Sequence, residues 1–297
     1  MIKHIIVMNG DDPIHFFELF RTLAAEQEIS TENVLTRDCI ISIGYESDSV
    51  VCVIHDNAPL PTNDTAYLIK RTNKDTYRTY LIGRILQEKV PIFIDGANLV
   101  SDKTADKITM MVSLPLNGIK VPNTLIVTPH SYEKNKTYIE QRLQFPVVVK
   151  KTGSKGKNVW KVEDKASLET HIKQDSELTL IQEYIPNDHD IRVFVFDGKI
   201  IAAIKRSSSD GFYNNVSQGG KPEKIPISAE EESICIGAAE KAELRVAGVD
   251  LVRTERGPLV FEVNKAPQMD IFSPAAGFDV ERVYSNVVLD DLSRRSK

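Results

Sequence analysis

A mixed α/β (α+β) chain built of more than one lobe is what this sequence predicts, and three observations carry the prediction. Apolar runs rich in Val and Ile alternate with amphipathic stretches at helical spacing through the first hundred residues. Beyond residue 145 strand-like runs dominate, joined by turn signals such as Asp197-Gly198. The length, 297 residues, exceeds that of a typical single domain. With 41% hydrophobic and 27% charged residues the chain has the composition of a soluble globular protein. A net charge of −5 argues against a general electrostatic grip on nucleic acid or anionic lipid. Cys39, Cys52 and Cys235 are an odd, scattered set, each in an apolar run. They read as small buried hydrophobes in a reducing compartment. The N-terminal apolar run is too short for a signal peptide and no run approaches a membrane span, so a cytoplasmic protein without a membrane partner is expected.

In chain order, residues 2–8 predict a buried strand that ends in Asn9-Gly10. Residues 15–27 place Phe16, Phe17, Leu19, Phe20 and Leu23 on one helical face. Strands are expected at 40–43, 50–54, 67–70 and 91–94, and a helix over 76–88 with Tyr77, Tyr80, Leu81 and Ile85 inward. This alternation makes residues 1–100 an N-terminal α/β lobe. Asn9-Gly10-Asp11-Asp12 lies at a strand-to-helix turn but lacks the spaced glycines of a dinucleotide fingerprint, and is read as a structural turn. Lys70, Arg71 and Arg78 form a basic cluster, read first as a solvated strand and helix end and, if functional, as a holder of a substrate carboxylate. Ser101 can cap a short helix holding Lys103 and Lys107. A strand at 124–127 and a charged helix from 131 to 142 follow.

The stretch F-P-V-V-V-K-K-T-G-S-K-G-K-N-V-W (145–160) is a buried strand ending at Lys150, then a loop with Ser154, Lys155 and Gly156, then another strand. Glycines let backbone N–H groups turn onto an anion and the lysines supply charge. The loop is therefore either a flap over phosphates or an ordinary Gly/Lys-rich hairpin turn. A strand at 178–184 follows, then the hairpin 191–204, in which alternation places Asp190 and Arg192 on one side and Arg206 follows the second strand. Ser228 with Glu231 is a capping box for a helix reaching about residue 245. Val249 to Pro267 reads V-D-L-V-R-T-E-R-G-P-L-V-F-E-V-N-K-A-P, a hairpin signal in which Glu262 and Asn264 share a side and Asp250 lies roughly opposite Glu262. Two carboxylates and an amide oxygen on one face suit Mg²⁺. Spacing alone is equally consistent with a solvated polar strand face. A final helix is expected over 280–292.

Taken together and in order, the K-K-T-G-S-K-G-K loop, I-Q-E-Y-I, D-I-R-V-F-V-F-D-G-K-I-I-A-A-I-K-R, A-G-V-D-L-V-R and G-P-L-V-F-E-V-N resemble the ATP-grasp ligases, in the RimK-like branch. The resemblance spans residues 101–270. It implies an ATP-grasp fold, with a central subdomain at 101–184 carrying the flap and a C-terminal subdomain at 185–297 carrying the metal site, the two sandwiching ATP. It implies Asp250, Glu262 and Asn264 as ligands of Mg²⁺, with Mn²⁺ as the alternative ion. It also implies Lys107 and Lys150 on the phosphates, Ser154, Lys155 and Gly156 in the flap, Glu183 and Tyr184 at the adenine edge, and Asp190 near the ribose. Tyr213, Asn214 and Asn215 fall in the nucleotide-contacting loop, and Arg206, Arg192 and Asn215 are the catalytic candidates.

The implied reaction activates a carboxylate as an acyl phosphate with release of ADP, and an amine then attacks it to give an amide. Substrates would be small-molecule or peptide carboxylates and amines, and homo-oligomers are common among relatives. Two departures stand out. Tyr213 occupies a position usually basic, and Lys265-Ala266-Pro267-Gln268-Met269 replaces the small residue and Ser-Pro-Gly that commonly follow the asparagine. Substrate identity therefore does not carry over. The competing expectations are a kinase on the same fold and a nucleotide-binding regulator without turnover.

Overall fold

A computed structural model describes residues 2–9, 14–46, 49–70, 76–94, 107–151, 158–173, 178–207, 222–265 and 267–295. The first sheet is parallel, in the order β2-β1-β6-β7, with β1 at His4–Asn9, β2 at Ser30–Leu35, β6 at Thr65–Ile69 and β7 at Ile92–Ile94. Helix α1 (Ile14–Ala25) joins β1 to β2, and α2 (Thr76–Leu86) joins β6 to β7. The two helices cover opposite faces. Ile5 and Val7 of β1 share a core with Phe16 and Phe20, whereas Ile6 and Met8 share one with Ile82 and Leu86. Burial on both faces explains why β1 reads as a continuous apolar run. Between β2 and β6 lies a small antiparallel meander of β3 (Ile40–Glu46), β4 (Ser49–His55) and β5 (Ala58–Pro59). Of the basic cluster Lys70, Arg71 and Arg78, Arg71 lies outside the described residues and the other two part company here. Lys70 Nζ sits 4.0 Å from the Phe16 ring centroid on the α1 side, while Arg78 Nη1 donates to Arg37 O on the other.

After α3 (Lys107–Leu116) comes a second sheet, antiparallel in the order β10-β9-β11-β8, from β8 (Thr124–Val127), β9 (Val147–Lys151), β10 (Val159–Val162) and β11 (Thr179–Glu183). The charged helix expected over 131–142 is two short ones, α4 (Pro129–Lys134) and α5 (Lys136–Glu140). Asn135 leaves the helical region at φ −115°, ψ 22° and breaks it. Helix α6 (Lys165–Lys173), not foreseen from the sequence, buries Leu168 and Ile172 beneath this sheet.

The third sheet has the order β14-β13-β12-β15-β16, all antiparallel, with β12 at His189–Phe196, β13 at Lys199–Ser207, β14 at Pro222–Lys224, β15 at Val246–Thr254 and β16 at Gly257–Asn264. Asp197 and Gly198 both take positive φ (48° and 69°), as the tight hairpin turn between β12 and β13 requires. Helix α7 (Ala229–Lys241) starts on the capping box: Ser228 Oγ accepts from Glu231 N and Glu231 Oε2 accepts from Ser228 N. It ends earlier than expected because Glu243 adopts φ 54° and Leu244 N donates back to Ala239 O, a helix-terminating pattern.

The two faces of this sheet differ. Val193, Val195, Val249, Leu251, Val260 and Val263 pack with α3 and α7. The opposite face sends Phe194, Phe196, Ala202, Ile204 and Val246 into the same core as β1, α1, α8 (Ser273–Ala276) and α9 (Val280–Arg295). Further along, that second face becomes charged.

Candidate active site

Residues directly opposed in an antiparallel pair project from the same face. The register opposes Asp190 to Arg206, Arg192 to Asp250, Asp250 to Glu262 and Gly248 to Asn264. Four strands thus bring Asp190, Arg192, Arg206, Asp250, Glu262 and Asn264 to one face, next to the apolar half formed by Phe194, Ile204 and Val246.

Asp250 is the hub. Arg192 grips it in a fork, Nε on Oδ1 and Nη2 on Oδ2, each at 2.6 Å. Arg206 Nη2 reaches Oδ2 at 3.1 Å and Asn264 Nδ2 donates to the same oxygen at 3.2 Å. Arg206, only 2% exposed, also forks onto Asp190 at 2.7 and 2.6 Å. Burial disfavours a charged Asp250, but the two guanidiniums more than offset it and hold its carboxyl well below the usual range. Asp190 has Arg206 for its close partner among the described residues; burial and the neighbouring Asp250 push it upward. Asp190, implied near the ribose, orients Arg206 with its carboxylate. Arg206, implied near the phosphoryl group, and Arg192, a catalytic candidate, each turn an Nε and Nη2 edge to a carboxylate, and the Nη1 donors of both are not used by these forks.

The set fits a magnesium ion. Oδ2 of Asp250 takes three donors, but Oδ1 takes only Arg192 Nε among the described residues and so retains accepting capacity. With Nδ2 of Asn264 turned to Asp250, its Oδ1 is the amide's acceptor. Glu262 adds a second carboxylate on the same face. Among the described residues no three His, Cys, Asp or Glu side chains gather into a metal cage. A site of few hard oxygens that leaves positions for phosphate and water is the kind magnesium uses.

A β-bulge shapes this hairpin. Asp250 opposes Glu262, but Leu251 opposes Val260, so Phe261 is an extra residue on β16. The bulge lets Val260 and Val263, three apart, both enter the core while Glu262 and Asn264 stay on the polar face. Lys150 of β9 spans from the second sheet, its Nζ lying 5.7 Å from the Phe261 ring centroid. The lysine expected on the phosphates and the hairpin expected to hold the metal are therefore neighbours. Gly248 has a role that the sequence motifs did not signal. A Cβ there would lie 2.9 Å from Pro267 Cβ, so glycine is what lets the chain beyond Asn264 lie against β15.

At the end of β11, Glu183 N donates to Asn123 O. The Glu183 carboxylate accepts from Asn123 N, Asn123 Nδ2 and Arg256 Nη2. Lys161 Nζ lies 4.6 Å from the Tyr184 ring centroid. Lys107 opens α3, but its side chain, like Ser154, Lys155, Gly156, Tyr213, Asn214 and Asn215, lies outside what the structure describes. Cys39, Cys52 and Cys235 are buried free thiols.

Residues 104–286, more than half of the chain, match the model of the RimK-like ATP-grasp domain. A Legionella pneumophila (strain Corby) protein named "Probable alpha-L-glutamate ligase" is 32% identical over 264 residues, covering 86% of this chain and 85% of that one. Among solved structures, the ATP-grasp ligase PsnB complexed with minimal precursor, Mg and ADP superposes with a TM-score of 0.68 at 18% identity, over 97% of both chains. D-alanine–D-alanine ligase from Bacillus anthracis does so with a TM-score of 0.66 at 20% identity, over 99% of this chain and 98% of that one. The matched stretch contains every strand of the second and third sheets, including the whole charged face around Asp250. The chain belongs to the RimK-like ATP-grasp family and is an ATP-dependent carboxylate–amine ligase.

Proposed function

We propose that this ligase joins the amine of an amino acid to the carboxylate of an amino acid or peptide, with chemistry centred on the charged face of the third sheet. The observation that carries the reading is the convergence of Asp250, Glu262 and Asn264 on one side of the β15–β16 hairpin, beside the buried Arg206 and the partly buried Arg192 and close to Lys150. Asp250, Glu262 and Asn264 would hold Mg²⁺, and Mn²⁺ would suit the same oxygens. The ion, when bound, neutralises phosphate charge. Phosphoryl transfer depends on positioning and electrostatics more than on a covalent nucleophile.

This chain's own residues divide that work. Lys150 and Lys107 bind phosphates, and Ser154, Lys155 and Gly156 close over them to exclude water. Backbone groups around Glu183 and Tyr184 receive the adenine. Arg206 and Arg192, held by Asp190 and Asp250, present their remaining donors to the transferring group, and Tyr213, Asn214 and Asn215 are assigned to the nucleotide by their sequence position alone. In this reading residues 101–184 and 185–297 are the two lobes around the nucleotide, and residues 1–100 with the Lys265–Ser273 stretch select the substrates. The buried free thiols fit work in the reducing cytoplasm.

The relative named for glutamate makes glutamate the first amino acid to test. Purified protein with ATP, Mg²⁺ and an amino-acid and peptide panel should release ADP with a product heavier by one residue, read by mass. Glu262→Ala should remove that turnover while leaving the protein folded. Unchanged turnover in Glu262→Ala would sink the metal assignment, and absence of ADP release with every substrate pair would overturn the substrate reading.

A further inference from the structure

The tip of the hairpin that carries Asp250 and Glu262 is bonded to the strand on which adenine is expected. Arg256, in the turn between β15 and β16, donates Nη2 to Glu183 Oε1 at 2.6 Å. The same carboxylate accepts Asn123 N at 2.8 Å and Asn123 Nδ2 at 3.2 Å, while Glu183 N donates to Asn123 O at 2.9 Å. The backbone of Arg256 is held as well: its N–H donates to Thr254 Oγ1 and its carbonyl accepts Lys120 Nζ at 2.8 Å. Val260 N completes the stitching by donating to Lys120 O at 2.9 Å. The segment from Lys120 to Asn123 thus lies between β11 and the hairpin and is bonded to both.

An ion pair whose side chains are 49% and 27% exposed adds little net stability. Its output is geometry. Three donors converge on one carboxylate and so fix the orientation of Glu183, and with it the strand end that runs into Tyr184. The donor that crosses from the third sheet to the second is Arg256.

We propose that Arg256 is a positioning residue: acting through Glu183, it sets the backbone that receives the nucleotide base and couples that backbone to the metal-carrying hairpin. The proposal rests on the reading of Glu183 and Tyr184 as the adenine edge. Loss of Arg256 loosens base recognition and leaves the Asp250–Glu262–Asn264 face and the substrate-selecting segments in place.

The test is steady-state kinetics of wild type, Arg256→Ala and Arg256→Lys with ATP and with inosine triphosphate, whose base differs at the edge that the Glu183–Tyr184 backbone would read. Arg256→Ala should raise KM for ATP about fivefold or more, lower the ATP-over-ITP preference by a similar factor, and leave KM for the amino-acid substrate unchanged. Arg256→Lys, which keeps the charge but not the planar fork, should recover part of the preference. Glu183→Gln should reproduce the effect, and the double variant should be no worse than either single one, as expected for groups acting as a unit. If wild type prefers ATP and Arg256→Ala prefers it equally, the adenine reading stands and this proposal is overturned. If wild type itself does not distinguish ATP from ITP, the adenine reading fails and takes the proposal with it.

Discussion

Arg206 is the most buried charge on the active face, and its value is read from what its removal would strand. Asp190 would lose its fork partner and Asp250 one of its two guanidiniums, both at positions nearly closed to water. Breaking a buried ion pair from one side costs about 3–5 kcal/mol. Arg206→Ala should therefore lower unfolding stability by about that amount in a urea titration, in addition to any loss of turnover. A destabilisation below about 1 kcal/mol, typical of a surface pair, would show that the cluster is wetter than its geometry implies. Each member of the cluster was legible singly: alternation put Asp190 beside Arg192, and the hairpin pattern put Asp250 opposite Glu262. What local spacing could not show is the pairing of β12 with β15, which opposes Arg192 to Asp250 across 58 positions. That both arginines also fork onto carboxylates was therefore not legible from local spacing.

The β15–β16 hairpin shows the same limit at the level of an element. Its existence follows from two β-rich runs around Gly257-Pro258, but the L-V-F run hides which residue is extra, and only the cross-strand register identifies Phe261. Strand β2 and helix α6 escaped notice because few of their side chains are apolar and buried. Val34 alone is buried in S-T-E-N-V-L, an edge strand held by backbone bonds to β1. In α6 the burial is confined to Leu168 and Ile172, although Asp164, accepting from Ser167 N and Oγ, was a readable cap. The close approach of Pro267 to Gly248 yields a sharp test of the segment beyond the hairpin. Gly248→Ala forces its Cβ against a proline that cannot change rotamer, an overpacking cost of about 1–3 kcal/mol. The displaced segment borders the expected acceptor side, so kcat/KM for the amino-acid substrate should fall more than KM for ATP changes. Equal effects on both substrates would indicate that the segment does not meet the acceptor.

At the scale of the whole molecule, the parallel first sheet does not close its own core. Tyr284 of α9 lies 5.8 Å from the ring of Phe16, 6.1 Å from that of Phe93 and 5.3 Å from that of Phe196, joining α1, β7 and β12 at one fully buried point. Tyr284→Ala should cost about 3–5 kcal/mol, by analogy with other large-to-small changes of buried aromatics. Calorimetry should still record one transition, because the N-terminal sheet and the third sheet melt through the same core; separation into two transitions would argue against that shared packing. The alternating strands and helices of the first hundred residues correctly suggested an α/β layer. They carried no sign that its covering helix would come from the other end of the chain, since α9 reads as an ordinary amphipathic tail.

That arrangement bears on how such a ligase could be re-engineered. Swapping the first hundred residues for those of a relative, to import a new substrate preference, would set a foreign sheet against a native α9 and leave Phe93's aromatic partners mismatched. A workable graft is discontinuous, taking residues 4–94 together with 273–295 as one transplanted body. The intervening catalytic segment would be the recipient, leaving two junctions in the chain and one packing seam, where Phe194 and Phe196 of β12 meet the transplanted core.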